Sequence, residues 1–182
     1  MLLLDDFYNP FEWSTVKDLM SKMTFTATCQ PESETIDNRL KAYPCYETYG
    51  NIDENNKYLN QLHDLTLTVL KNKTDIQIES LDTAFRRILT KEINQSPLAG
   101  QKSFIKHKDK HADMAGVIYF EGLTIEGGTS LFFTELQYEP DIVYAAKPNR
   151  AVLYSSDTLH CANHDYNYEV RTVQTIFIRT KK

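Results

Sequence analysis

His107 and Asp109 are two residues apart. In an extended strand, residues i and i+2 point to the same face, so this pair can present an imidazole and a carboxylate side by side. A second imidazole, His160, lies far along the chain, after the run Leu153-Tyr154-Ser155-Ser156-Asp157-Thr158-Leu159. Two imidazoles and one carboxylate on one face of a metal leave the opposite positions open for exogenous ligands, the donor set of sites that activate dioxygen. A site closed by four protein ligands offers no such vacancy. His111-Ala112-Asp113 repeats the spacing four residues later, and strand parity does not separate the two pairs, because all four positions are odd. The connecting chain favours the first pair. Residues 110–114 make an ordinary five-residue connection to the apolar strand beginning at Ala115, whereas only Met114 separates Asp113 from it.

Arg171 opens a regular alternation in which Arg171, Val173, Thr175 and Phe177 share one face. On the inner wall of a small barrel an arginine is costly unless paired, and its planar fork matches a carboxylate in a bidentate way. A dicarboxylic ligand can supply that partner, with the hydroxyls of Tyr119 and Thr175 as further donors. Gly127-Gly128 reads as a turn, His164 and Asp165 as loop, and the lysines from Lys106 to Lys110 as a solvated rim.

The elements that must hold these residues differ between the two halves. Ser14 can cap a short helix running to about Met23, and Leu59, Leu62, Leu65, Val69 and Leu70 form a helical stripe within 54–71. A Tyr-rich polar loop occupies 43–52. From about residue 81 the chain turns strand-like, with candidates at 83–90, 101–108, 115–121, 129–134, 141–146, 150–155 and 170–179 separated by Gly, Pro and Asn. Short strands after a helical start suggest a mainly β fold, a sandwich or jelly roll with N-terminal helices on one face. We expect a single domain over 1–182, with 1–80 a helical support region and 81–182 the β core.

The 182 residues carry a net charge of −5, which gives no general affinity for nucleic-acid backbones or anionic membranes. Three widely spaced cysteines, Cys29, Cys45 and Cys161, form no CxxC and no disulfide framework. With no basic-flanked leader and no apolar run of about 18 residues, a reducing, cytoplasmic setting is expected.

The order of His107/Asp109, Ile118-Tyr119-Phe120, Gly127-Gly128, His160 and Arg171 resembles the 2-oxoglutarate- and Fe(II)-dependent dioxygenase family, particularly its prolyl-hydroxylase-like branch, over about residues 83–180. The opening Leu4-Asp5-Asp6-Phe7-Tyr8-Asn9-Pro10 is similar to that of small oxygenase-like proteins of bacteria and phages. The resemblance implies a double-stranded β-helix. It implies Fe(II) held by His107, Asp109 and His160, 2-oxoglutarate held by Arg171 with Tyr119 and Thr175, dioxygen as oxidant, and ascorbate as an optional reductant. It further implies hydroxylation of an unidentified substrate, a prolyl or other protein side chain before a small molecule or modified nucleotide, with decarboxylation of 2-oxoglutarate to succinate. The presence of Asp109 favours hydroxylation over halogenation, since halogenating relatives lack that carboxylate. Two other readings compete: a cupin-like metalloenzyme that does not use 2-oxoglutarate, for which an inward Arg171 has no purpose, and a non-catalytic jelly-roll virion or binding protein, for which a complete ligand set has none.

Overall fold

In the computed structural model, residues 1–27, 45–48, 53–95, 99–100, 106–109, 111–121 and 125–181 are described. The strands are β1 (Leu2–Leu4), β2 (Thr26–Ala27), β3 (Tyr46–Glu47), β4 (Ile78–Leu89), β5 (Met114–Tyr119), β6 (Thr129–Phe132), β7 (Ile142–Tyr144), β8 (Ala151–Ser155), β9 (Leu159–Ala162) and β10 (Val170–Thr180). The helices are α1 (Pro10–Ser21), α2 (Asp53–Lys73) and α3 (Thr90–Ile93). A larger sheet runs in the order β1-β8-β5-β10-β4-β3-β2, and a smaller one runs β7-β6-β9. All pairings are antiparallel. The two sheets enclose one apolar layer containing Ala115, Tyr119, Leu131, Val152, Tyr154 and Val173. The outer face of the larger sheet is covered by α1 and α2 through Val16, Leu19, Leu62, Val69, Leu70, Phe85, Ile176 and Ile178. Helix-backed antiparallel sheets of this kind form a double-stranded β-helix.

Sequence and structure differ at several boundaries. Helix α1 begins at Pro10 rather than after Ser14. Asn9 accepts bonds from the backbone N–H groups of Phe11 and Glu12, and the Glu12 carboxylate accepts from the Asn9 N–H. This capping box, with proline at the first helical position, outweighs a lone serine one turn later. Strand β4 starts five residues earlier than the pattern suggested, because its whole length pairs with β10. Short strands from the first half join the larger sheet at both edges, β1 on β8 and β3 on β4. Of the expected strand 101–108, residues 101–105 lie outside the described residues, as does much of the Tyr-rich loop at 43–52. No described helix is long and apolar enough to cross a membrane.

Strand β10 fixes the site because it is paired on both sides, Thr175 opposing Ala84 on β4 and Val117 on β5. Its odd residues face the smaller sheet and its even residues face the helices. On the helix side, Gln174 is fully buried, yet every polar atom of its amide is used. Its Nε2 donates to Thr66 Oγ1 and Thr83 Oγ1, each at 2.9 Å, and its Oε1 accepts from the Tyr8 hydroxyl at 3.0 Å. The network ties α2, β4 and the N-terminal segment to β10. Replacing Gln174 with Leu leaves three buried hydroxyls short of a partner. We expect a loss of about 2–3 kcal/mol in urea denaturation, against no measurable loss for Lys22→Ala, which breaks only the exposed Asp18 pair.

Candidate active site

The smaller sheet extends past β9 through an isolated antiparallel bridge between His107 and His160. The His107 N–H donates to the His160 carbonyl at 2.9 Å, and the His160 N–H donates to the His107 carbonyl at 3.0 Å. Residues paired in this way project their side chains from the same face, so the two imidazoles are brought together by backbone geometry, with ring centroids 4.3 Å apart. Two residues on, the Asp109 N–H donates to the Ser156 carbonyl at 3.0 Å and holds the carboxylate beside them. Asp109 Oδ2 is 3.3 Å from His160 Nε2, and Oδ1 is 3.9 Å from His107 Nε2. The three donor atoms lie within 4.8 Å of one another, and among the described residues no other three such groups converge.

The surroundings prepare these groups unequally. His160 is buried, and its Nδ1 meets the Thr158 carbonyl at 2.9 Å, which fixes the ring and turns Nε2 toward Asp109. Burial, then the neighbouring His107, push its pKa below the ordinary imidazole value, favouring the neutral form with a lone pair to offer. Asp109 is mostly buried, whereas the His107 side chain is 48% exposed. One side of the cluster is therefore open to the surface.

His111 and Asp113 are placed otherwise. The His111 ring packs on Phe177, with centroids 4.5 Å apart. Asp113 caps the end of β10, its Oδ2 accepting from the Thr180 N–H at 2.8 Å and the Thr180 hydroxyl at 3.3 Å.

The triad faces a cavity of about 420 Å³ between the sheets. All four odd residues of β10 from Arg171 to Phe177 line it, together with Thr129, Tyr154, Val117, Arg86 and Cys45. Arg171 is buried; its Nε donates to the Gly127 carbonyl at 3.1 Å, and one terminal nitrogen donates to the Gly128 carbonyl at 3.4 Å. It forms no ion pair with a carboxylate among the described residues. Its guanidinium carbon lies 5.9 Å from the centre of the Tyr119 ring. Tyr119 is buried with its hydroxyl 2.6 Å from Thr129 Oγ1, so Thr129, and not Tyr119, forms the cavity wall there. Thr175 lines the cavity, but its hydroxyl donates to the Ala84 carbonyl at 3.2 Å. An adjoining cavity of about 190 Å³ shares Arg86, Thr175 and Phe177 and adds Glu47, Asp82 and His111. There Arg86 is paired with Glu47, 2.5 Å from Nε to Oε1.

Three features escape sequence reasoning. Gly127 and Gly128 are more than a turn, because their carbonyls orient Arg171. Thr129 and Tyr154 carry no spacing signal, since each reads as one more inward position of an apolar strand. His164 and Asp165, read as loop, are in irregular backbone but buried. His164 Nε2 lies 3.0 Å from the Thr90 hydroxyl, and burial followed by the charge of Arg171 lowers its pKa.

No protein-family model matches the chain, and no curated protein matches it. Solved structures do. An oxidoreductase of the 2OG-Fe(II) oxygenase family from Burkholderia pseudomallei superposes with a TM-score of 0.62 at 13% identity, covering 100% of this chain and 88% of that one. A prolyl hydroxylase from Trichoplax adhaerens, in complex with a peptide fragment of the hypoxia inducible factor oxygen degradation domain, gives 0.59 at 15% identity, covering 98% and 83%. HygX from Streptomyces hygroscopicus, with nickel and 2-oxoglutarate bound, gives 0.58 at 8% identity, covering 99% and 82%. The chain has the double-stranded β-helix fold of the 2-oxoglutarate- and Fe(II)-dependent oxygenases.

The cradle of Arg171 is sterically exacting at one glycine. A Cβ on Gly128 would overlap the Tyr144 carbonyl oxygen on β7, whereas one on Gly127 would meet only the Asp165 and Ala146 methylene or methyl carbons at 3.5 and 3.6 Å. Gly128→Ala is expected to cost about 3 kcal/mol in chemical denaturation, and Gly127→Ala less than about 1 kcal/mol.

Proposed function

We propose that this protein is an Fe(II)- and 2-oxoglutarate-dependent oxygenase in which His107, Asp109 and His160 hold the metal and Arg171 anchors the distal carboxylate of 2-oxoglutarate. One observation carries the reading. A buried guanidinium without a carboxylate partner among the described residues shares a cavity with two imidazoles and a carboxylate whose donor atoms lie within 4.8 Å. A buried cation needs an anion. A three-ligand site next to it supplies the other contact for a dicarboxylic keto acid. The donor set fits a ferrous ion: nitrogen and oxygen donors only, with the remaining positions left to small ligands.

When bound, the iron with 2-oxoglutarate and dioxygen supplies the oxidising power to hydroxylate a C–H bond, with decarboxylation of 2-oxoglutarate to succinate. This chain's own residues bind and orient. Thr158 fixes the His160 ring through its carbonyl. Gly127 and Gly128 occupy the inner edge of Arg171 and so direct its fork, while the Tyr119–Thr129 pair closes the wall beside it. Val117, Val173 and Phe177 give the rest of the cavity an apolar wall. This arrangement disfavours a cupin-like enzyme that does not use 2-oxoglutarate, for which the cost of burying Arg171 has no return.

The substrate is a protein side chain, prolyl residues being the leading candidate. The half-exposed His107 supports this, because it leaves the metal side reachable from the surface. So does the β6–β7 loop, where Phe133, Leu136 and Tyr138 are exposed and which is joined to Lys106 by a bond from its ammonium to the Gln137 carbonyl. The prolyl hydroxylase among the similar structures was solved with a peptide bound.

The test is spectroscopic. Mixing protein, Fe(II) and 2-oxoglutarate without oxygen is expected to give a weak visible charge-transfer band, and admitting oxygen with a prolyl-containing peptide library should release succinate. Tight metal binding with no dependence on 2-oxoglutarate would instead favour the cupin-like reading. His107→Ala is expected to abolish iron binding and turnover, while His111→Ala leaves both largely intact; the reverse pattern would move the site to the second pair. Arg171→Lys keeps the charge but loses the fork. It should weaken 2-oxoglutarate by about tenfold to a hundredfold, about 1.4–2.8 kcal/mol, with metal affinity unchanged in calorimetry.

A further inference from the structure

Tyr154 projects from β8 into the same cavity as His107, Asp109, His160 and Arg171, and only 3% of its surface is exposed. Its ring packs on His160, with centroids 4.7 Å apart. The other two deeply buried phenols are satisfied within the protein, Tyr8 on Thr66 and Gln174 and Tyr119 on Thr129. The Tyr154 hydroxyl has no hydrogen-bond partner among the described residues, although it is almost as buried as they are. Tyr154 lines the cavity, and its oxygen is not sealed in the core, so a group that occupies the cavity can serve as its partner.

The register shows which end of a ligand it can reach. Tyr154 pairs across the sheet with Ala115, and Ala115 with Phe177. On β10, Phe177 and Arg171 are six residues apart on one face, roughly 20 Å of strand. Tyr154 therefore enters the cavity from the end opposite Arg171, on the side where its ring touches His160. The ring contact with His160 and the shared cavity wall put Tyr154 beside the metal cluster. A keto acid reaching from Arg171 to a metal held by His107, Asp109 and His160 would have its keto-acid end on the side of Tyr154.

We propose that Tyr154 is a second binding residue for the cosubstrate: its hydroxyl donates a hydrogen bond to an oxygen at the metal-chelating, 2-oxo-acid end. The keto acid is then held at both ends, by the Arg171 fork on the distal carboxylate and by one neutral donor at the chelating end. This inference rests on the oxygenase reading, and its test separates the two.

Tyr154→Phe removes the hydroxyl and keeps the ring on His160, and an unchanged thermal melt will verify that the fold is intact. Two quantities are read on anaerobic Fe(II)-loaded protein, the affinity for 2-oxoglutarate and the position of the visible charge-transfer band. With Tyr154→Phe we expect about tenfold weaker binding, the size for a hydrogen bond to a charged acceptor. We also expect the band to move to shorter wavelength, because a hydrogen bond to the chelating keto acid lowers the orbital that accepts the electron. Arg171→Lys should weaken binding without moving the band. Pyruvate, which has the keto-acid end and no distal carboxylate, should be weakened by Tyr154→Phe and unaffected by Arg171→Lys. If Tyr154→Phe binds 2-oxoglutarate as tightly as the wild type, or binds it more weakly with the band unmoved, Tyr154 does not act at the chelating end and the inference is wrong. A wild-type protein that gives no band and binds no 2-oxoglutarate would instead overturn the oxygenase reading itself.

Discussion

The two-sided ladder of β10 is the constraint on which the site depends. Hydrogen-bonded to β4 on one side and β5 on the other, the strand cannot slide. Its period of two then assigns every residue to a face. Arg171, Val173, Thr175 and Phe177 go to the cavity, and Gln174, Ile176 and Ile178 go to the core beneath the helices. A slip of one residue would drive the guanidinium into an apolar core and turn Ile176 and Ile178 into the cavity. The helical half of the chain matters to the chemistry for this reason. By burying Ile176 and Ile178 against α1 and α2, it makes the alternative register prohibitively unfavourable.

A second backbone device assembles the candidate metal ligands. His107 and His160 are 53 residues apart in sequence and come together as a reciprocally bonded cross-strand pair. Asp109 follows on the same short segment, tethered to the Ser156 carbonyl. Both tethers reach the stretch between β8 and the end of β9. Every donor is thus referenced to one short piece of chain, 156–160, and that piece is itself fixed, since the Ser156 N–H bonds the Asp113 carbonyl. Asp113 serves this frame and the end of β10, which is a structural use for the second histidine–aspartate repeat.

Much of this was legible in the sequence because it follows from periodicity. The alternation after Arg171 gives its inward face, the Leu59-to-Leu70 stripe gives α2, and the chain length between Asp109 and Ala115 distinguishes two otherwise equivalent pairs. What was not legible depends on contacts between distant segments. The Asn9–Glu12 capping box is a local signal and sets the start of α1 ahead of Ser14. By contrast, nothing local to Leu2–Leu4 or Tyr46–Glu47 announces an edge strand; each exists because a longer strand offers it free hydrogen-bonding groups. Tyr119 and Thr175 were expected to present hydroxyls to a ligand. Parity puts both on the correct face, but only the structure reveals that Thr129 engages one hydroxyl and the Ala84 carbonyl the other.

The polar groups buried on the two faces of β10 separate structure from function. Gln174 is surrounded by Tyr8, Thr66 and Thr83 and is satisfied by them, so the core gains specificity and needs nothing from outside. Across the strand, Arg171 has backbone carbonyls along its inner edge but no anionic partner among the described residues. Tyr154, two strands away, has a phenol aimed into the same space. All three residues are buried, but Arg171 and Tyr154 open onto the cavity and Gln174 does not. The unmet needs of Arg171 and Tyr154 converge on one cavity beside two imidazoles and a carboxylate. That convergence supports reading the cavity as a place where their partners arrive with a ligand, anionic at the end held by Arg171 and hydrogen-bond accepting at the end faced by Tyr154.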